Sequence, residues 1–479
     1  MNYRMIKNVL GWILLFEAGF FLVPIITAFA YSESREVLSF GLAALICVAI
    51  GLLFLFVAKP KSKTLYSREG FVIVSLSWVF LSIFGALPFV FSNVVPSYID
   101  ALFEVVSGFT TTGASIFSDV EALPKSFLMW RSFTHWVGGM GVLVFIMAFI
   151  PLSGGGNMHI MKAESPGPSV SKLVPRVRTT ALILYTIYFV LTVLQFILLI
   201  CGGMSVFEAI NASFATAGTG GFGIKNNSMG GYNSYLQIVI AVFMLLFSLN
   251  FSSYYLALRG RFKAAFNSEL RAFILIVAAA VAVITLNIRE MLGSLFDAFK
   301  HSLFTVSSII STTGFATADF DIWPELSRTV IVLIMFIGAC AGSTGGGIKV
   351  SRIIILFKGA LKELSQMLHP KQVKKVTMDK RPVEHEVVRS VNAYIVCYAL
   401  IFVASFLIIS FDNKDMVTNF TAVSATMNNI GPGLGGVGPT QNYGSFSIAS
   451  KIVLIFDMLA GRLELFPMLL LFKPGTWKK

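Results

Sequence analysis

Residues 109–115 read FTTTGAS, and this Thr/Gly-rich stretch has three counterparts: TGGFG at 219–223, ISTTGFA at 310–316 and NNIGPG at 428–433. A short amphiphilic segment precedes each one: LFEVV at 102–106, VFEAI at 206–210, LFDAF at 295–299 and MVTNFTAV at 416–423, the last without an acidic residue. A helix of about 11 residues is only about 16 Å long, so each segment can enter a membrane but cannot cross it. The sequence therefore predicts four unequal copies of one unit, in the order span, half-helix, Gly-rich loop, span.

The composition places these units in a lipid bilayer. Hydrophobic residues make up 56% of the 479 residues and charged residues only 13%, which is too few to cover the surface of a soluble protein of this size. Apolar runs of about 18 residues or more are long enough to cross the hydrocarbon core. The clearest runs are 9–31, 37–58, 71–91, 181–200, 236–258, 391–411 and 452–472. We expect ten spans, eight from the four units and two from an N-terminal hairpin.

The distribution of charge orients the chain. About two thirds of the 37 Lys and Arg residues fall in segments that lie inside if both termini are cytoplasmic, whereas more than half of the acidic residues fall outside. This bias agrees with the positive-inside rule. It also accounts for the net charge of +13 without a nucleic-acid partner. The four cysteines are far apart in the sequence and have no spacing typical of a metal site or a disulfide framework.

We expect an all-α polytopic membrane protein with a pseudo-fourfold pore. Its predicted parts are a two-helix hairpin at 1–68 and pore repeats at 69–170, 171–265, 266–385 and 386–479. Four Gly-rich loops that meet on one axis would present a ring of backbone carbonyls, which can replace the water shell of K⁺. Glycine suits such a ring because it permits positive φ and close approach of the ion. Ordinary external turns are the alternative, but four of them at equivalent positions argue against it.

One triplet from each repeat forms the predicted filter. The residues are Thr111, Thr112, Gly113, Thr219, Gly220, Gly221, Thr312, Thr313, Gly314, Asn429, Ile430 and Gly431. In the second repeat Gly218, Gly220 and Gly221 all compete for the last position of the triplet. We align Gly221 with Gly314 because a phenylalanine follows each of them, and this register stays open by one residue or more.

A second candidate element interrupts the second span of the third repeat. The stretch GACAGSTGGGIK at 338–349 has five glycines within 338–347 and cannot form a good helix. A break at this depth must line a cavity or be buried in protein, and we interpret it as a gate. The predicted gate residues are Gly338, Ala339, Cys340, Ala341, Gly342, Ser343, Thr344, Gly345, Gly346, Gly347, Lys349 and Arg462. Tight packing against a neighbouring helix is the alternative interpretation.

Arg462 lies deep in the last predicted span. An isolated arginine at mid-membrane costs at least ~2.5–3.5 kcal/mol, so its side chain should face the bundle interior or water. We expect it in the permeation path below the filter, where it repels cations, with a partner on another element. A structural counter-charge or a side chain that snorkels to the interface is the alternative.

Five longer motifs resemble those of a known family. They are WRSFTHWVGGMGVLVF at 130–145, MKAESPGP at 161–168, GACAGSTGGGIK at 338–349, NNIGPGLGGVGP at 428–439 and GRLELFP at 461–467. Over nearly its whole length the chain resembles the ion-conducting subunits of the Trk/Ktr/HKT superfamily of K⁺ transporters, and most closely the TrkH family. In that superfamily a filter glycine in all four repeats goes with preference for K⁺ over Na⁺, whereas serine at the first position goes with easier Na⁺ conduction. Gly113 therefore implies K⁺.

The resemblance also implies partners and a location. It implies a bacterial inner (plasma) membrane protein, surrounded by lipid and assembled as a homodimer. A cytosolic nucleotide-binding regulatory ring of the TrkA/KtrA type would dock on the inner segments 151–178 and 358–390; for 358–390, with its eight Lys and Arg residues, a plain positive-inside anchor is the alternative. The nucleotide would bind to that ring, so this chain takes K⁺ ions as substrate and holds no cofactor.

Two classes of function fit these observations, and a third does not. The first is a K⁺ uptake channel or transporter subunit that is regulated by a partner. The second is a Na⁺- or H⁺-coupled secondary transporter that uses alternating access, but such proteins usually have two inverted halves and here the four repeats run in the same sense. An intramembrane enzyme lacks any pairing of nucleophile and base in the sequence.

Overall fold

The structure, a computed structural model, describes residues 1–58, 67–141, 177–372 and 374–477. The described residues are largely helical, and the strands β1 (Thr377–Met378) and β2 (Arg381–Pro382) form one short antiparallel pair. The predicted all-α class is therefore confirmed. The motif at 161–168, the end of the motif at 130–145 and nearly all of the inner segment 151–178 lie outside the described residues.

An N-terminal helical hairpin precedes the repeats. Its helices are Tyr3–Phe20, Leu22–Ala30 and Ser34–Val57. The two arms touch at Gly11 and Gly51, because a Cβ atom on either glycine would lie 2.9 Å from the carbonyl oxygen of the other. Small residues let membrane helices come into backbone contact in this way. The hairpin packs on the first repeat through the rings of Phe21 and Trp130, whose centroids are 4.7 Å apart.

Each repeat contains a first helical segment, a short pore helix and a second helical segment, and the two outer segments are the predicted spans. The first spans are formed by Ser67–Gly85 with Leu87–Phe91, Val177–Cys201, Ser268–Leu292 and His385–Ile409. Pore helices 1 to 4 are Tyr98–Phe109, Val206–Ala217, Leu295–Ile310 and Met416–Met427. The second spans are formed by Lys125–Gly139, Ser234–Phe247 with Phe251–Leu258, Glu325–Met335 with Val350–Leu368, and Ile448–Arg462 with Phe466–Phe472. The short helices Phe262–Ala265 and Pro474–Trp477 and the 3₁₀ turns Phe320–Ile322, Ser410–Asp412 and Gly435–Val437 complete the described elements.

The pore helices begin at side-chain caps. In each case an N-cap side chain accepts a hydrogen bond from the N–H three residues later; the caps are Ser97, Ser205, Ser294 and Asp415. Helices 1, 2 and 4 have 12 residues and helix 3 has 16, so at 1.5 Å per residue they span only about 18–24 Å. These lengths agree with the predicted half-helices, which stop inside a hydrocarbon core about 30 Å thick.

Two predicted spans are broken where the sequence reads as continuous. The run 236–258 bends by 90° between Phe247 and Phe251, because Asn250 caps a new helix by accepting from the N–H of Ser252 (2.8 Å). The run 452–472 is interrupted after Arg462, where Glu464 and Leu465 have positive φ angles of 60° and 65°. Prolines are common just after such helix ends because they cannot continue the helix, and Pro467 follows here. The two breaks are features that the length and composition of these runs do not reveal.

The described residues include six helices that are long and apolar enough to cross a membrane, or seven if the bent pair counts as one span. The breaks divide other runs into pieces that fall below this length. The expected total of ten spans, with both termini inside, stays a prediction.

Candidate functional site

The four predicted filter triplets have the same backbone shape. The first residue of each has a positive φ: Thr111 56°, Thr219 56°, Thr312 61° and Asn429 54°. The third residue is a glycine with a positive φ: Gly113 79°, Gly221 78°, Gly314 86° and Gly431 93°. This alternation identifies residues 219–221 as the counterpart of the other triplets. A threonine at positive φ is strained and persists only where its surroundings impose it, and three equivalent instances mark a specialised segment.

Every pore helix ends in the same hydrogen-bonded turn. In the first repeat the N–H of Thr111 donates to the carbonyl of Gly108 (3.1 Å), and the N–H of Thr112 donates to the carbonyl of Ser107 (2.9 Å). The corresponding pairs recur at 219–220, 312–313 and 429–430. This is the Schellman arrangement, which normally has glycine in its left-handed position. The helix C-termini, with their partial negative charge, therefore lead directly into the triplets.

The triplets form a closed ring in the order of the chain. A Cβ atom built on Gly113 would lie 2.0 Å from the carbonyl oxygen of Gly220 in the next triplet. The same approach recurs from Gly221 to Thr313 (1.9 Å), from Gly314 to Ile430 (2.1 Å) and from Gly431 to Thr112 (2.6 Å), which closes the ring. Each glycine is thus required by the middle carbonyl of its neighbour as well as by its own φ.

A buried ion pair supports the first two triplets. The Nε of Arg131 lies 2.7 Å from the carboxylate of Glu104 on pore helix 1, and both side chains are almost fully buried. Glu104 also accepts from the N–H of Ile116 (2.9 Å), and Arg131 donates to the carbonyl of Gly223 (3.2 Å). The guanidinium stacks on Phe222 at 4.0 Å. The pair therefore fixes the chain that leaves both triplets.

His135 links the same two repeats. Its Nδ1 lies 2.8 Å from the carbonyl oxygen of Gly108, and its Nε2 lies 3.2 Å from the backbone nitrogen of Phe222. Because a carbonyl only accepts and an N–H only donates, these contacts require the neutral tautomer with the proton on Nδ1. His135 thus ties the end of pore helix 1 to the second triplet.

The fourth triplet is tied to the first and to the last span. The Asn429 side-chain amide donates to the hydroxyl of Thr112 (2.9 Å) and to the carbonyl of Met458 (2.9 Å). The hydroxyl of Tyr443 donates to the carbonyl of Gly431 (2.7 Å). Asn429 takes the place that threonine has in the other repeats, so this difference between repeats has a structural purpose.

The predicted break at 338–349 is a buried irregular loop, hereafter the intramembrane loop. Helix Glu325–Met335 ends before it and helix Val350–Leu368 begins after it. Its glycines at 338, 342 and 347 and the non-glycine Lys349 have positive φ. The N–H of Gly346 donates to the hydroxyl of Thr312 in the third triplet (2.6 Å). The ammonium of Lys349 donates to the carbonyls of Gly345 and Gly346.

Two elements hold the intramembrane loop. One is the break in the second span of repeat 2, where the N–H of Cys340 donates to the carbonyl of Ser248 (3.0 Å) and Gly342 accepts from Phe251 (3.0 Å). The other is Glu269, a buried carboxylate whose Oε1 accepts from the N–H of Ala341 (2.8 Å) and of Ser351 (3.1 Å). Sequence reasoning missed both, and a buried glutamate at the start of a span is the feature that could have drawn attention to Glu269.

Arg462 connects three repeats below the triplets. Its guanidinium donates to the carbonyl of Thr344 in the intramembrane loop (2.8 Å) and to the carbonyls of Gly138 (2.5 Å) and Gly139 (2.6 Å) in repeat 1. The partners are therefore on other elements, as the sequence predicts. Glu464, two residues on, forms an ion pair with Arg352 at the start of the helix that follows the loop.

Comparison with known proteins places this architecture in a family. Residues 36–478 match the family model of TrkH, described as a cation transport protein, and the chain belongs to this family. It is 36% identical to the Trk system potassium uptake protein TrkH of Escherichia coli strain K12, over all of both chains. It is 33% identical to TrkG of the same strain, over all of this chain and 99% of that protein. The crystal structure of the potassium transporter TrkH from Vibrio parahaemolyticus matches with a TM-score of 0.90 and 34% identity, over all of both chains.

Proposed function

We propose that this chain is the ion-conducting subunit of a K⁺ uptake system and is selective for K⁺ over Na⁺. The observation that carries the proposal is the closed ring in which four glycines of left-handed conformation each face the middle carbonyl of the next triplet. Carbonyls in such a ring replace the water around a K⁺ ion. The names of the relatives, which are potassium uptake proteins, support the same assignment.

The path to the ring favours cations. Four carboxylates follow the first and third triplets by five to eight residues in the sequence, at Asp119, Glu121, Asp319 and Asp321. An acidic mouth of this kind raises the local concentration of cations and speeds their entry. At the inner side the C-termini of the pore helices add partial negative charge along the axis.

The intramembrane loop and Arg462 form the gate in this proposal. In the closed state Arg462 binds Thr344 of the loop, and its charge, together with that of Lys349, opposes the passage of K⁺. One positive charge on the path contributes a barrier of several kcal/mol where it is desolvated, and less in a wet cavity. The hydrogen bond from Gly346 to Thr312 couples the loop to the third triplet.

The assembly in this proposal has three further components. The chain lies in the bacterial inner membrane with both termini cytoplasmic, and a nucleotide-binding ring of the TrkA/KtrA type docks on the cytoplasmic face. A second copy of the chain completes a homodimer. Helix Val350–Leu368 supports the dimer because Phe357, Leu361, Leu364 and Leu368 are exposed at the four-and-three spacing of a helix-packing seam.

Flux measurements test the proposal. The purified chain in liposomes should take up K⁺ faster than Na⁺, with no imposed H⁺ or Na⁺ gradient. A requirement for such a gradient would instead favour the coupled transporter. For the gate, deletion of residues 345–347 and Arg462→Ala should each raise K⁺ flux without the partner ring, and their effects should be less than additive because they act on one closed state.

A conservative variant and a control complete the gate experiment. Arg462→Lys should be intermediate because it keeps the charge but loses the planar guanidinium. Arg261→Ala, which removes an exposed arginine, should leave the flux unchanged. Equal flux for the wild type, the deletion and Arg462→Ala at matched protein content would refute the gate and leave the loop as a packing element.

A further inference from the structure

A groove lies between the end of the third repeat and the start of the fourth, apart from the pore elements. It has a volume of about 840 Å³ and lies between helix Val350–Leu368, the β1–β2 hairpin and the start of helix His385–Ile409. Leu356, Ala360, Val376 and Val388 form an apolar floor. The volume falls within the range of about 300–1,000 Å³ that is usual for sites of small organic ligands.

Basic side chains line this groove. Lys362, Lys374, Lys375 and Arg389 are among its lining residues, with Glu363 and Glu384 as the acidic ones. Lys362 lies 3.3 Å from Glu363, and Lys374 donates to the hydroxyl of Ser365 (2.7 Å). Across the described ranges, none of Lys374, Lys375 and Arg389 forms an ion pair with a carboxylate. Three positive charges are therefore available to an anion.

The groove lies at the depth of the lipid headgroups. The apolar segment that begins at His385 continues for 28 residues to Asp412, which corresponds to about 42 Å of helix at 1.5 Å per residue. The hydrocarbon core is about 30 Å thick, so about 12 Å of this helix extends beyond it. Shared equally between the two ends, this excess places roughly the first four residues outside the core. Arg389 is four residues into the segment and thus lies at the inner boundary.

We propose that this groove binds an anionic phospholipid of the inner leaflet. The lipid phosphate binds Lys374, Lys375 and Arg389, with the guanidinium able to hold two phosphate oxygens at once. The upper part of an acyl chain packs on Leu356 and Val388. Basic pockets on the cytoplasmic side of membrane helices are suited to such headgroups. The bound lipid contacts helix Val350–Leu368, which follows the intramembrane loop, so the inner half of the third repeat packs partly against lipid.

A protein partner on the cytoplasmic face is the competing occupant. The apolar floor and the boundary depth favour a lipid, because a soluble protein would bind the charges that lie farther from the membrane. A lipid-binding measurement without the partner ring distinguishes the two occupants. It does not depend on ion flux, so lipid binding can be established even if the K⁺ transport proposal fails.

Native mass spectrometry of the purified full chain tests the site. Phosphatidylglycerol should be retained in preference to phosphatidylcholine, and inorganic phosphate should not displace it, because free phosphate lacks the acyl contact. Each Lys or Arg near an anionic lipid contributes about five-fold in affinity. The triple variant Lys374→Gln, Lys375→Gln, Arg389→Gln should therefore bind phosphatidylglycerol on the order of 100-fold more weakly.

Two further variants exclude trivial explanations. Lys371→Gln, Lys380→Gln, Arg381→Gln removes equal charge from exposed positions of the same segment that do not line the groove, and it should retain the lipid. Lys374→Arg, Lys375→Arg, Arg389→Lys keeps the charge in the groove and should also retain it, even if the glutamine variant unfolds. Equal retention of both lipids by the wild type would overturn the proposal. So would a glutamine variant that keeps phosphatidylglycerol but loses binding to the regulatory ring.

Discussion

Replacement of Gly113 by serine perturbs the ring of triplets at one defined contact. The new Cβ would lie 2.0 Å from the carbonyl oxygen of Gly220, whereas contacts under 3.0 Å essentially never occur, so the oxygen must retreat by about 1 Å in a closely packed interior. A side chain at a φ of 79° adds strain of about 1–2 kcal/mol. The clash is relieved by a shift of the Gly220 carbonyl in the second triplet, so this oxygen no longer fits a K⁺ ion as well.

The expected result is a loss of selectivity and not a loss of assembly. A change of about 1.4 kcal/mol in the preference for K⁺ over Na⁺ corresponds to a tenfold change in their ratio, so a modest mismatch at one displaced carbonyl is enough. We therefore expect Gly113→Ser to lower the K⁺/Na⁺ permeability ratio about tenfold. The assay is paired K⁺ and Na⁺ flux in liposomes at matched protein content. An unchanged ratio would remove Gly113 from the filter.

Other glycines in the chain provide controls for this experiment. Gly203 also has a positive φ, 93°, but nothing lies within 4 Å of the place its Cβ would take, so Gly203→Ser adds backbone strain alone and should leave the ratio unchanged. Gly431 faces Thr112 at 2.6 Å, which is looser than the other three contacts. Gly431→Ser should therefore be milder than Gly221→Ser, and the reverse order would refute the explanation based on carbonyl contacts.

Three other predictions concern stability and orientation. Arg131→Ala leaves the buried carboxylate of Glu104 without its ion pair and should destabilise the protein by about 3–5 kcal/mol in thermal unfolding; Arg131→Gln with Glu104→Gln should cost less, and equal costs would contradict the ion-pair explanation. Hydrogen bonds from the hydroxyl and N–H of Thr418 lower the pKa of Asp415, so the stabilisation from this cap should persist until the pH falls below the ordinary aspartate range. Asn is a cap that does not titrate, so the melting temperature of Asp415→Asn should lose this acid dependence. Identical pH profiles for the two proteins would exclude a role of the Asp415 carboxylate. A cysteine at Lys375 should react with impermeant reagents only from the cytoplasmic side and one at Asp321 only from outside, and labelling of both from one side would invalidate the four-repeat topology.

The pore helices could be predicted from the sequence because their properties are local. Their short amphiphilic segments, their Thr/Gly-rich ends and the Ser-x-x-acid pattern at three of their starts, as at Ser205 with Glu208, all lie within a few residues of one another. The positions of the triplets follow from the same local pattern. The register of the second triplet did not follow, because three glycines fit the pattern and only the alternation of φ distinguishes them.

The parts that could not be predicted depend on contacts between distant residues. The apolar run 236–258 has only Ser248, Asn250, Ser252 and Ser253 to mark its bend, and the bend is stabilised by hydrogen bonds with a loop about 90 residues later in the chain. The pair of Glu104 and Arg131 joins two helices across a loop. No periodicity in one sequence encodes such pairings, because hydrophobic patterns report which face is buried and not what it meets.

One oxygen of Glu269 accepts hydrogen bonds from the backbone N–H groups of both Ala341 and Ser351. This arrangement affects how fast the intramembrane loop can move. A chain segment with both ends held at one point can change shape without a further loss of loop-closure entropy. Once the contacts of Gly346 with Thr312 and of Thr344 with Arg462 break, the residues between these anchors can move while the flanking helices stay where they are. Motions of loops occur in nanoseconds to microseconds, whereas collective movements of helices take microseconds to milliseconds. In the proposed gate, this segment therefore moves on the faster timescale, and loss of the Glu269 carboxylate shifts it to the slower one.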